Sequence, residues 1–118
     1  RMADRLELSD EGNVTIVRFK DQKILDEVDI QQLGEELNAV VSSGEHTKIV
    51  LNFEEVGFLS SAALGKLIAA RKKAVKSDVA LKLCSIKHEL LEVFKLTGLD
   101  SVFDIRESQS DAIAAFEG

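Results

Sequence analysis

Two adjacent serines, Ser60 and Ser61, in the segment Val56-Gly57-Phe58-Leu59-Ser60-Ser61-Ala62-Ala63-Leu64-Gly65, are the residues of this chain best placed to do chemistry. They follow a β-rich apolar run and precede a stretch with helical spacing. At a helix start the first backbone N–H groups lack partners and negative charge is favoured, so a phosphate on either hydroxyl would be tolerated. Serine is also a preferred helix cap, and local physics alone reads either residue most simply in that role. A hydrolytic nucleophile fits poorly. The GxSxG turn is missing, and neither histidine is an evident base.

The remaining reactive types are dispersed. His46 and His88 are far apart, in an expected loop and an expected helix start, and read as solvated surface residues. No HExxH or CxxC pattern occurs. One thiol, Cys84, can form no internal disulfide and no thiolate metal site, and near a strand end it reads as a small core hydrophobe. No metal and no cofactor is therefore expected. The adjacent carboxylates Glu35-Glu36 and Glu54-Glu55 do not face one another on a helix, and solubility is their simplest role. Without GxGxxG or a P-loop, a phosphate-cradling nucleotide site has no support.

The elements that must position Ser60 and Ser61 can be read from periodicity. Val14 to Phe19 alternates like a strand, Leu6 to Leu8 suggests a shorter one before it, and Glu11-Gly12-Asn13 makes the turn. Lys20 to Asp26 reads as a polar connection. Asp26 or Asp29 can cap a helix to about Ser42 with Ile30, Leu33, Leu37, Val40 and Val41 on one face. Thr47 to Phe53 has the nearly continuous apolar character of a buried central strand.

A second helix is expected from Ala62 to Lys76, with Leu64, Leu67, Ile68 and Val75 inward and Ala63, Ala70 and Ala74 as small packing residues. Val79 to Cys84 reads as a strand, and Glu89 to Leu96 as a third helix stopped by Gly98. Ser101 to Ile105 reads as a last strand, and Asp111 to Phe116 as a last helix with Ile113 and Phe116 inward. Strands alternating with helices predict a four- to five-stranded mixed sheet with helices mainly on one face.

Length and charge set the outer limits. The 118 residues, 45% apolar and 31% charged, suit one domain with a real core. Arg1 precedes Met2 and reads as a cloning or processing scar, which gives one domain over residues 2–118. A net charge of −6 argues against a sequence-independent grip on nucleic acid. The local cations Arg71, Lys72, Lys73 and Lys76 read as the charged end of a helix, where they complement its dipole. A lone cysteine suits reducing cytosol, no apolar run is long enough to span a membrane, and no signal-peptide pattern opens the chain. A cytoplasmic protein is expected.

The stretch LNFEEVGFLSSAALGKLIAARKKA resembles the signature of STAS (sulfate-transporter and anti-sigma-antagonist) domains, especially bacterial anti-sigma factor antagonists. In those, a strand leads through an acidic residue to a phosphorylatable serine or threonine, a second small residue, a glycine and a helix. Leu96-Thr97-Gly98-Leu99-Asp100-Ser101-Val102-Phe103 is similar to the family's later LTGL…VF segment. Ile24-Leu25-Asp26 before a helix fits too, although it lacks the glycine usual there. The resemblance spans nearly the whole chain, and it departs from the pattern around the acceptor. Ser60 stands at the acidic position, and Ala62 and Ala63 stand where serine and glycine are common.

The resemblance implies an α/β STAS fold and a switch rather than an enzyme. The dephosphorylated antagonist binds an anti-sigma factor that is also a serine kinase, and so frees a sigma factor; phosphorylation prevents binding, and a phosphatase resets it. Alignment puts the acceptor on Ser61 and the partner surface on Asp26, Phe58, Leu59, Ser60, Ser61, Ala62 and Ala63. The methyl of Ala63 is expected where a partner backbone could approach. A monomer or weak dimer, without direct nucleic-acid contact or membrane insertion, is expected. The alternative within the fold is a constitutive scaffold subunit of a stress-signalling or transporter complex, not phosphorylated. A small-molecule binder or enzyme has the least support.

Overall fold

A computed structural model of the chain describes residues 5–117, so residues 2–4 and 118 of the expected domain lie outside the described residues. Strands β1 (Leu6–Glu11) and β2 (Val14–Phe19) form an antiparallel hairpin. Its turn places Gly12 at φ +61°, a conformation that costs glycine little and matches the twist of the flanking strands. β1 is longer than the Leu6–Leu8 expected, because the ladder runs from Leu6↔Phe19 to Glu11↔Val14 and backbone pairing holds residues whose side chains are exposed.

β4 (Lys48–Asn52) lies parallel to β2, β6 (Ala80–Cys84) parallel to β4, and β7 (Asp104–Arg106) parallel to β6. The result is a five-stranded mixed sheet in the order β1-β2-β4-β6-β7. Three helices cover one face: α1 (Glu27–Ser42), α2 (Ser61–Lys76) and α3 (His88–Leu96). Their apolar stripes join Val17, Phe19, Ile49, Leu51, Phe53 and Leu83 of the sheet side in the main core. The short α4 (Gln109–Ala115) covers the other face, where Ala112 with the partly buried Ile113 and Phe116 packs on Val14, Ile16, Val50 and Cys84.

Four expectations need correction. Val75 is 65% exposed although it lies within about 20° of the buried Leu64 round the helix, because it stands in the last turn of α2, three turns further along the axis. The expected strand Ser101–Ile105 is a 3-10 turn, Leu99–Ser101, followed by β7. Gly98 at φ +77° reverses the chain after α3, and the Phe103 N–H donates to the Leu99 carbonyl at 3.0 Å, so Leu99 and Phe103 enter the core from one helical turn. Glu36 does more than keep the surface soluble: its carboxylate accepts from the backbone N–H groups of Arg5 (3.1 Å) and Leu6 (3.0 Å) at the start of β1. The polar connection Lys20–Asp26 contains β3 (Lys23–Ile24), which pairs in parallel with β5 (Phe58–Leu59) as a separate two-stranded ribbon.

Candidate partner-binding site

That ribbon brings the two candidate segments together. Lys23 stands opposite Phe58 and Ile24 opposite Leu59, and the Ser60 N–H then donates to the Ile24 carbonyl at 3.1 Å. α1 begins just beyond Ile24 and α2 just beyond Leu59. Both helices lead back to strands that run parallel to β2, so both N-termini open at the carboxyl end of the sheet, where ligands of open α/β folds gather. The approach to the ribbon is tightly fastened. Phe53 donates its N–H to the Cys84 carbonyl (3.0 Å), Asn52 Oδ1 accepts from the Glu54 N–H (2.8 Å), and Lys87 Nζ donates to the Glu54 carbonyl (2.6 Å). The N–H groups of Gly57 and Phe58 both donate to the Gln22 carbonyl, at 2.8 and 3.1 Å.

The two serines have different surroundings. Ser60 is half-buried and extended (φ −74°, ψ 165°), and its Oγ accepts from the Ala63 N–H at 3.2 Å as the cap of α2. Ser61 is the first helical residue and is exposed; among the described residues its hydroxyl has no hydrogen-bond partner. Asp26 caps α1, accepting from the N–H groups of Val28 (3.1 Å) and Asp29 (3.3 Å) while staying exposed.

The other candidates divide by burial. Phe58 (52% exposed) and Ala62 lie on the surface, whereas Leu59 (6%) and Ala63 (0%) point into the core. The Ala63 methyl therefore packs inward instead of meeting a partner backbone, and Leu59 supports the surface from behind. Sequence reasoning missed Leu25 and Val28, which are 49% and 72% exposed beside Asp26. Val28 lies off the buried stripe of α1, and an apolar residue on a polar helix face was the signal that could have marked it. Lys23, Glu54, Phe58 and Lys87 help to line a shallow open depression of about 560 Å³ beside the ribbon.

Among the described residues nothing around Ser61 forms a catalytic pair. His46 lies in the loop before β4, at the other end of the sheet, where its Nδ1 is 2.8 Å from Thr15 Oγ1; it is half-buried, not freely solvated. His88 is the exposed first residue of α3. Cys84 is fully buried, and burial raises its thiol pKa above the ordinary value. Among the described residues no group of three or more His, Cys, Asp or Glu could hold a metal ion, and no helix is long and apolar enough to cross a membrane.

The carboxyl end of the sheet thus brings together two capped helix ends, exposed apolar residues and, among the described residues, an unbonded serine hydroxyl. The chain matches the STAS domain over residues 5–112 and belongs to that family, one of regulatory proteins rather than enzymes. BtrV of Bordetella bronchiseptica, a protein assigned as an anti-sigma factor antagonist, is 32% identical over 96 residues, covering 81% of this chain and 82% of its own length. An anti-sigma factor antagonist from Mycobacterium paratuberculosis superposes with a TM-score of 0.83 at 25% identity, over 96% of this chain and 93% of that one. The phosphorylated form of Bacillus SpoIIAA shares the fold, with a TM-score of 0.69 at 18% identity over 94% of this chain and 98% of that one.

Proposed function

We propose that this chain is a cytoplasmic anti-sigma factor antagonist that binds an anti-sigma factor with serine-kinase activity, and that phosphorylation of Ser61 by that kinase ends the binding. A phosphatase restores the binding form. The observation that carries the reading is the division of labour at the start of α2: Ser60 is spent on capping, while the Ser61 hydroxyl is exposed and, among the described residues, unbonded. A phosphate there adds about −1.5 to −2 charges. The N-terminus of α2 favours that charge, so the fold is kept. A partner packed on Phe58, Ser61 and Ala62 would have to bury a bulky hydrated anion, so binding is lost by local masking.

A constitutive, non-phosphorylated binding module is favoured by the departures around Ser61: Ser60 at a position where the family carries an acidic residue, and Ala62 and Ala63 where serine and glycine are common. The two readings part in one experiment. Wild type, Ser61→Asp and Ser61→Ala are incubated with the anti-sigma factor and ATP, and followed by intact mass and by binding. The switch requires that wild type gain one phosphate. Ser61→Asp should bind at least about tenfold more weakly, near 1.4 kcal/mol, with an unchanged Tm. Ser61→Ala should bind but gain no phosphate. Wild-type affinity in Ser61→Asp, with no phosphate on wild type, leaves the constitutive module.

A further inference from the structure

We infer that the outward face of α2 beyond Ser61 is a second part of the partner interface, built to receive an acidic helical segment. Residues Ala62, Gly65, Ala69, Lys72, Lys73 and Lys76 are all exposed. At 100° per residue they share the side of α2 opposite the buried stripe. The end nearest Ser61 has almost no side-chain height, and a Cβ added at Gly65 would meet nothing within 4 Å.

The cations decide what this face is for. In a chain of net charge −6, three exposed lysines stand together within two turns of one helix. Among the described residues none of the three has a carboxylate partner; Lys20, Lys23, Lys48, Lys66, Arg71 and Lys87 have none either, so what sets the three apart is that they stand together on one exposed helix face. Dipole complementation falls off within the last turn of a helix and gives no reason for the row to reach back to Lys72. Neighbouring α1 turns Glu27 and Glu35 to solvent, so an acidic segment is repelled there and drawn along α2. The low relief at Ala62, Gly65 and Ala69 lets a helix backbone approach closely, and its carboxylates would then meet Lys72, Lys73 and Lys76.

This inference rests on the antagonist reading, and the test separates the two. Association of the anti-sigma factor is measured at about 50 and 200 mM salt with wild type, Ser61→Asp, Lys72→Glu/Lys76→Glu, and the equally charged control Lys20→Glu/Lys95→Glu. The α2 pair should cut the association rate at least about tenfold at low salt and lose most of the salt dependence, while the control stays within about twofold. If the two pairs behave alike while Ser61→Asp still weakens binding at least about tenfold, the acidic-segment inference is overturned and the antagonist reading stands. A wild-type chain that binds no anti-sigma factor overturns both. Capture of random-sequence duplex DNA through the same lysines would assign the face to nucleic acid and overturn the inference.

Discussion

Adjacent serines of the same type occupy different physical states here, and the difference is one hydrogen bond. Ser60 Oγ satisfies the Ala63 N–H, one of the orphan donors at the start of α2. Ser61, one residue on, points its hydroxyl to solvent. Alanine at the two positions should therefore have unequal effects. Ser60→Ala should cost about 1 kcal/mol, the usual value of a cap, and Ser61→Ala close to nothing. Urea melts of the two variants check this; equal losses would mean that both hydroxyls cap the helix. The same asymmetry limits modification. A phosphate on Ser60 would have to displace the cap, whereas one on Ser61 need break no bond.

Element packing explains why the acceptor segment is stiff. α2 is held by Ala63, Leu64, Leu67, Ala70 and Ala74 against the sheet and α1. Leu64 is 7% exposed and Leu67 0%. Truncating either to alanine should destabilise the domain by roughly 2–5 kcal/mol, with Leu67 at the upper end because it is sealed on all sides. Denaturant melts measure the loss; under about half a kcal/mol would place the residue at the surface. Before α2, Phe53 stands in a row of ring contacts, Phe19–Phe53 at 4.6 Å, Phe53–Phe94 at 6.3 Å and Phe94–Phe103 at 6.1 Å, which ties the segment after β4 to β2, to α3 and to the turn after Gly98. The LTGL…VF segment thus supports the acceptor region through the core without touching Ser61.

Across the whole molecule, the two faces of the sheet are covered unequally. Three helices bury the main core on one side, and on the other a seven-residue helix shields Val14, Ile16, Val50 and Cys84. α4 is fastened at its start: Gln109 accepts from Asn52 Nδ2 (2.7 Å) and from Arg18 (3.1 Å), and donates to Glu11 (3.2 Å). Cys84 is the internal reporter of this arrangement. Its thiol is sealed, and burial raises its pKa, so the reactive thiolate is scarce in the native state. Labelling by a disulfide reagent at neutral pH should run at least about a hundredfold slower than for a free thiol, and should accelerate with denaturant as α4 leaves or the chain unfolds. Native labelling at the free-thiol rate would show that α4 is open in solution.

Long periodic segments were legible from the residues alone. The stripes Ile30-Leu33-Leu37-Val41 and Leu64-Leu67, the alternation of Val14 to Phe19, the cap at Asp26 and the stop at Gly98 follow from local sterics and hydrogen bonding. They set the order of elements and a mixed sheet with helices. Those same residues could not reveal the ribbon of β3 and β5, because a two-residue strand has no period and is created only by a partner 35 residues away, at Ile24↔Leu59. Nor could they separate Ser60 from Ser61, or turn Leu59 inward while leaving Phe58 outside. Those outcomes depend on how α2 is rotated against the sheet, and packing sets that rotation: the stripe from Ala63 to Ala74 must be buried, and Ser61, Ala62 and the lysines beyond them are left facing solvent.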